Sequence, residues 1–153
     1  MNLDDLLWVF LIAASPIVEL RGALPVAICI YDIPWYYALL ICYAGNLLPV
    51  PFLLLFLDPV ARFLSRVKIF GQIIEWVFRR TRQRGKIVER YERIGLVLLV
   101  AIPLPGTGAW TGSIAAFLFG LKFKYSILSI TLGVLIAGII VTALCLLGWI
   151  VAS

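Results

Sequence analysis

Two charged residues, Glu19 and Arg21, lie two positions apart inside a strongly apolar part of the sequence, SPIVELRGALP at 15–25. A carboxylate can take and give a proton, and a guanidinium is a permanent planar cation that binds anionic groups. We therefore predict a substrate- and proton-binding site at these residues. The structural alternative is a salt bridge that holds the local loop and has no further role.

A second group of candidate residues follows in PLPGTGAWTG at 103–112. Its glycines let a ligand approach the backbone, and a helix that begins there would present its positive end. The Trp110 ring could stack on a substrate or simply pack, and Asn46 could bond to either segment or to a neighbouring helix. The predicted site comprises Glu19, Arg21, Asn46, Gly106, Thr107, Gly108, Trp110 and Thr111.

Other kinds of chemistry lack the residues they need. The sequence has no histidine, and Cys29, Cys42 and Cys145 lie singly inside apolar runs. Histidine-based catalysis, a disulfide framework and a zinc site are therefore not expected. With no nucleophile paired with a base and no acidic metal cluster, we expect neither an enzyme nor a cofactor.

The elements that must position these residues are apolar helices. Hydrophobic residues make up 63% of the 153 residues and charged residues 14%, too apolar for a small water-soluble core. Four apolar stretches, 6–30, 33–57, 94–120 and 125–151, are each long enough to cross a hydrocarbon layer of about 30 Å. Glu19 and Arg21 are the only charged residues within them. The sequence therefore predicts an all-α integral membrane protein.

The first and third stretches are each broken in the middle by proline and glycine, which disfavour a continuous helix. Non-helical backbone at membrane depth survives only where it is buried in protein or lines a wet cavity. We predict re-entrant helical hairpins at 6–30 and 94–120, each followed by a whole span, at 33–57 and 125–151. The alternative is a pair of proline-kinked helices that cross completely. Residues 1–57 and 94–153 would then be two repeats within one membrane domain.

Between the repeats, residues 58–93 carry ten basic residues against four acidic ones. Short basic segments stay in the cytoplasm, so the repeats would be inverted in a plasma (inner) membrane, with Lys122 and Lys124 also inside. A four-crossing arrangement would move those two lysines outside. Apolar residues at helical spacing in 60–78 predict an amphipathic helix on anionic lipid headgroups along 60–93, rather than a nucleic-acid site.

Two motifs resemble a known family: SPIVELRGALPVAI at 15–28 and PLPGTGAWTGSIAAFLFGL at 103–121 are similar to the small multi-drug export protein family over essentially the whole chain. That family distantly resembles the DedA superfamily, which implies inverted hairpin repeats and proton-coupled movement of lipid carriers such as undecaprenyl phosphate. Glu19 and Arg21 would correspond to acidic and basic positions of the first hairpin. DedA proteins carry a further arginine in the second hairpin, and this chain has none there.

These observations favour a membrane transporter or flippase, proton-coupled, that moves a small amphipathic or anionic lipid-like substrate or exports small molecules. The alternative is a non-transporting membrane factor that organises lipids or assemblies through the basic helix. Because so few helices enclose a cavity poorly, a homodimer is also expected, with Gly133 and Ala137 as a small-residue contact face.

Overall fold

The computed structural model describes residues 2–64, 66, 71–73, 75–76, 79, 86–104 and 107–152. Regular structure in these residues is entirely helical, as predicted. The first part of the chain forms α1 (Leu3–Ala14), α2 (Glu19–Pro25) and a π-helical turn (Val26–Ile30), followed by α3 (Trp35–Leu47) and α4 (Pro49–Leu64). The second part forms α5 (Lys86–Ala101), α6 (Ala109–Phe119) and α7 (Phe123–Ala152).

The first predicted break is present, between Ala14 and Glu19. Ser15 has an extended backbone, with φ −69° and ψ 147°, because the ring of Pro16 disfavours a helical conformation in the residue before it. Within α2, Pro25 has no backbone N–H to continue the helical pattern, and the chain widens directly after it into the π-helical turn. The stretch 6–30 is therefore two short helical pieces, and α1 contacts α2.

The following span differs in its bounds from the prediction of 33–57. It consists of α3 and α4, separated by Leu48, and together these cover the apolar stretch Trp35–Leu64. Pro49 is the first residue of α4, the helical position where a missing N–H costs least. The span therefore continues past Leu57, and Val60, Phe63 and Leu64 of the predicted interfacial helix belong to α4. The remaining apolar positions predicted for that helix, Val67, Phe70, Ile74, Val77 and Phe78, lie outside the described residues.

In the second half, α5 begins at Lys86 and ends at Ala101, before the break at Ile102–Gly108. The helix therefore starts inside the segment assigned to the basic connector, eight residues earlier than the predicted boundary at 94. After α6, Gly120 takes the left-handed conformation, φ 67°, that ends a helix in a tight turn. Helix α7 follows at Phe123, close to the predicted start at 125.

Helices α5 and α6 both meet the beginning of α7. The Arg93 guanidinium carbon lies 3.5 Å from the centre of the Tyr125 ring, which puts the middle of α5 beside the first turn of α7. The Gly120 turn puts the last turn of α6 there as well. The first turn of α7 therefore lies beside α5 and directly follows the end of α6.

Each long span packs closely, at a glycine, against the first helix of the broken segment that precedes it. A Cβ on Gly45 would lie 2.6 Å from the carbonyl oxygen of Phe10 in α1, and one on Gly133 would lie 2.7 Å from Cβ of Val100 in α5. Ala137 is also buried within the chain, at 3% exposed. The prediction that Gly133 and Ala137 form a dimer contact is therefore wrong, because this face packs against α5 of the same chain.

The outer surface of the helices is apolar. Large side chains such as Leu40, Phe56, Leu128 and Leu144 are each more than half exposed. The stretches Trp35–Leu64 and Phe123–Gly148 are long enough to span a membrane, with mean hydropathies of 2.0 and 2.7. Such a surface is unfavourable in water and suits hydrocarbon. The chain is a membrane protein with an all-helical fold in its described residues.

Candidate functional site

Glu19 occupies an unusual position at the start of α2. Its backbone lies in the left-handed region, φ 53°, which costs a residue with a side chain about 1–2 kcal/mol. The side chain is nevertheless 8% exposed. A strained, buried carboxylate is retained only when its surroundings hold it firmly. One partner of Glu19, Arg21, lies two residues away, and another, Trp110, comes from the other half of the chain.

The Glu19 carboxylate lies against the beginning of α6. Its Oε1 accepts a hydrogen bond from the backbone N–H of Trp110 at 3.4 Å, so it sits at the positive end of that helix. Gly108, the residue before α6, has no side chain to cap the helix itself. A Cβ at Gly108 would overlap the Glu19 carboxylate. The backbone of Gly108 does not itself require glycine, since any residue can adopt its φ of −141°. Glycine is required there because a side chain would not fit beside the carboxylate.

Arg21 lies against the end of α5. One terminal nitrogen, Nη2, donates to the carbonyl oxygens of Val100 at 2.9 Å and Ile102 at 3.0 Å. The other, Nη1, lies 3.6 Å from Oε2 of Glu19. The last carbonyls of a helix lack partners within that helix, and a cation there also complements the helix dipole. Each member of the ion pair therefore neutralises one helix end of the second broken segment.

Trp110 makes the opposite connection, from the second broken segment to the first. Its indole Nε1 donates to the carbonyl oxygen of Ala14, the last residue of α1, at 3.1 Å. At the offset of 88 residues that aligns Gly45 with Gly133, Ala14 corresponds to Ile102. At the end of the first helix of each broken segment, the carbonyl therefore accepts a hydrogen bond from a side chain of the opposite segment. Arg21 donates to Ile102, and Trp110 donates to Ala14.

The structure brings together four of the eight predicted site residues: Glu19, Arg21, Gly108 and Trp110. Thr107 bonds within its own loop, its Oγ1 lying 3.0 Å from the carbonyl oxygens of both Ile102 and Leu104. Thr111 lies on the exposed side of α6, and Gly106 lies outside the described residues.

Asn46 is buried in α3, at 3% exposed. Among the described residues, no hydrogen-bond partner is found for its Oδ1. None of the hydrogen bonds described joins Asn46 to Glu19, Arg21 or Trp110. Its predicted role in the site stays a prediction.

Three backbone groups belong to this centre although their side chains are apolar: the carbonyls of Ala14, Val100 and Ile102. A signal for them was present in the sequence, because prolines at 16 and 103 end the preceding helices and leave their last carbonyls without partners. Which side chain would reach them could not be read from the sequence.

The described residues contain no cluster of His, Cys, Asp or Glu that could hold a metal ion. The centre consists of one carboxylate, one guanidinium and one indole N–H, which contact the start of α6 and the ends of α5 and α1.

Comparison with known proteins gives one family. The model of the small multi-drug export protein family matches residues 19–140, a range that begins at Glu19 and includes Arg21, Gly108, Trp110 and most of α7. Neither the comparison with curated proteins nor that with solved structures gave a match. Because the family model covers most of the sequence, the chain belongs to the small multi-drug export protein family.

Proposed function

We propose that this protein is a proton-linked membrane transporter that exports an amphipathic small molecule, with Glu19 and Arg21 at its centre. The observation that carries the proposal is the bridge these residues make between the two broken segments. Glu19 contacts the start of α6, while Arg21 contacts the end of α5. A change in charge at Glu19 therefore acts on contacts that join both halves of the chain.

Protonation of Glu19 supplies the coupling step. It removes the negative charge that pairs with Arg21 and weakens the bond from Trp110, a bond of the charged class worth about 1.5–3 kcal/mol. The proton would then favour a second arrangement of the two broken segments, as a ligand favours the state that it binds better. Substrate and proton compete for the carboxylate in this scheme.

We further propose that both broken segments re-enter the membrane and that the halves are inverted. Gly133 is ten residues from the start of α7, about 15 Å along a helix and so about half of the hydrocarbon layer. It packs against Val100, just before the second break. The charges support the same arrangement, because the first segment has acidic residues at both ends, Asp5 and Asp32, and the second has basic ones, Arg93 and Lys122. The site would then lie near the midplane of a plasma (inner) membrane.

Transport by reconstituted protein tests the role of Glu19. In proteoliposomes with a pH gradient, Glu19→Gln should lower uptake of ethidium, a cationic dye, by about 10–100-fold, the equivalent of losing a charged hydrogen bond. It should also remove the dependence of uptake on the gradient. Asp58→Asn makes the same change in charge at an exposed position of α4 and should leave uptake unchanged.

Gradient-driven uptake that survives Glu19→Gln would refute the transport proposal. An equal loss in Asp58→Asn would trace the effect to net charge and not to the site, and would refute it as well.

A second candidate is a flippase for an anionic lipid such as a polyprenyl phosphate. Arg21 favours it, because no hydrogen-bond partner is found for its Nε among the described residues, which leaves a donor for a phosphate oxygen. Labelled lipid phosphate in the same liposomes distinguishes the two. If the protein is a flippase, Arg21→Ala should abolish movement of the labelled lipid phosphate across the bilayer.

A third candidate is a non-transporting factor that works through the basic residues of 58–93. Exposed Arg62 and Arg79 carry positive charge in the described part of this segment, which favours contact with anionic headgroups. Neutralising Arg79 and its neighbours Arg80 and Arg82 would then abolish function, whereas Glu19→Gln would spare it.

A further inference from the structure

An open apolar groove lies between the end of α1, the start of α4 and the first turn of α6. Its volume is about 340 Å³, within the range of roughly 300–1,000 Å³ usual for small-molecule sites. The groove is lined by Ala14, Leu48, Pro49, Phe52, Leu53, Phe56 and Trp110. These side chains carry no charge, and the indole N–H of Trp110 is already bonded to Ala14.

Trp110 connects the groove to the ionic centre. This residue lines the groove and also donates its backbone N–H to the Glu19 carboxylate. Arg21, in contrast, makes its described contacts with the end of α5 and with Glu19. The ionic group in contact with a groove residue is therefore the carboxylate.

The lining also favours positive over negative ligands. Three of its residues, Phe52, Phe56 and Trp110, are aromatic, and the faces of aromatic rings attract cations. Phe52 and Phe56 are 57% and 62% exposed, so their rings are accessible to a molecule that arrives from the surrounding hydrocarbon.

We propose that this groove binds the aromatic, apolar body of a lipophilic cation whose charged end faces Glu19. The proposal rests on the transport function proposed above and names the chemical class of its substrate. Entry is lateral, from the membrane, because Phe52 and Phe56 of α4 line the groove and are exposed at the apolar surface. Binding of the cation takes the place of the proton at the carboxylate.

Binding of two ions of matched shape tests the proposal. Full-length protein in lipid nanodiscs is dialysed against tetraphenylphosphonium or tetraphenylborate, which have the same four rings and opposite charges, and empty nanodiscs give the background. Tetraphenylphosphonium should bind, and Leu53→Trp, which fills the groove, should weaken this binding about tenfold or more, as for a lost close contact. Leu55→Trp adds the same bulk to an exposed residue of α4 that does not line the groove and should leave binding unchanged.

Phe52→Ala is a second groove variant. It should fold normally, because the Phe52 side chain is largely exposed, and it should also weaken binding of tetraphenylphosphonium. Glu19→Gln should weaken binding of tetraphenylphosphonium and not that of tetraphenylborate. Unchanged binding in both Leu53→Trp and Phe52→Ala would overturn the groove assignment. Equal losses in Leu53→Trp and Leu55→Trp, as a lipid-filled or self-associating face would give, would overturn it too.

The two proposals fail differently. If the groove assignment is wrong, the groove variants bind normally while Glu19→Gln still abolishes gradient-driven uptake. If the transport proposal is wrong, uptake is insensitive to Glu19→Gln whatever the groove variants do.

Discussion

Glu19 combines three properties that are individually uncommon. It is an acidic residue within an apolar segment, it is buried, and its φ is positive. Each of these raises the free energy of the folded chain, and the contacts with Trp110 and Arg21 lower it. In the proposed mechanism, a proton or a substrate at Glu19 changes the balance between these opposing contributions.

Gly108 is the residue on which this balance depends most directly. We expect Gly108→Ala to displace the Glu19 carboxylate, because the new Cβ would overlap it. Overpacking of this kind costs about 1–3 kcal/mol, and transport should fall with stability. Thermal unfolding of the purified variant, followed by tryptophan fluorescence, measures the first effect, and ethidium uptake measures the second.

Gly95→Ala is the matched control. A Cβ at Gly95 would meet no atom within 4 Å, and alanine in a helix interior is favoured over glycine by roughly 0.5–1 kcal/mol. This variant should be as stable as the native protein or more so. Equal destabilisation of Gly108→Ala and Gly95→Ala would contradict the proposal that glycine is needed at position 108 to make room for the Glu19 carboxylate.

At the level of elements, the two broken segments are joined by hydrogen bonds to the carbonyl ends of their first helices. Helices α1 and α5 both stop near a proline, and each leaves its last carbonyls without helical partners. Arg21 and Trp110 supply the missing donors across the interface between the halves. The carbonyl at the end of each of these helices therefore has its hydrogen-bond donor in the opposite half of the chain.

Trp110→Phe tests this reciprocal arrangement. Phenylalanine keeps the ring and removes the indole N–H that bonds to Ala14, so stability should fall by about 1 kcal/mol, the usual net value of one hydrogen bond. Trp8→Phe, at an exposed position of α1, is the matched substitution and should change stability little. Denaturation of both variants in mild detergent gives the comparison, and similar values for the two would argue against a role for the Ala14 contact.

At the level of the whole molecule, the basic and acidic ends of the segments predict an orientation. In the inverted arrangement Asp4 and Asp32 face outside, and Asp58 and Lys122 face the cytoplasm. In a four-crossing arrangement Asp4 would be inside and Lys122 outside. The two arrangements agree on Asp32 and Asp58, which makes those positions internal controls.

Single cysteines decide between them. With Cys29, Cys42 and Cys145 replaced by alanine, we expect Asp4→Cys and Asp32→Cys to react with an impermeant maleimide in intact cells. Asp58→Cys and Lys122→Cys should react only after the cells are opened. Labelling of Lys122→Cys from outside would contradict the inverted arrangement.

The sequence by itself determined the class of the protein, the positions of the breaks and the two charged residues of the centre. Apolar runs too long for a small soluble core require lipid, and Pro16 and Pro103 disfavour a helical conformation in the residue before each of them. For the same reason Glu19 and Arg21 stood out, since charges in such runs are costly. These are properties of local composition, which needs no knowledge of neighbours.

The tertiary structure decided which groups meet. The hydrogen bonds of Glu19 with Trp110, of Arg21 with Val100 and Ile102, and of Trp110 with Ala14 join residues about eighty to ninety-six positions apart. Gly133 looked like a surface for a second copy and instead packs against Val100. A small residue signals close approach of another helix, but its sequence neighbours do not specify which helix that is; only the packing of the two halves does.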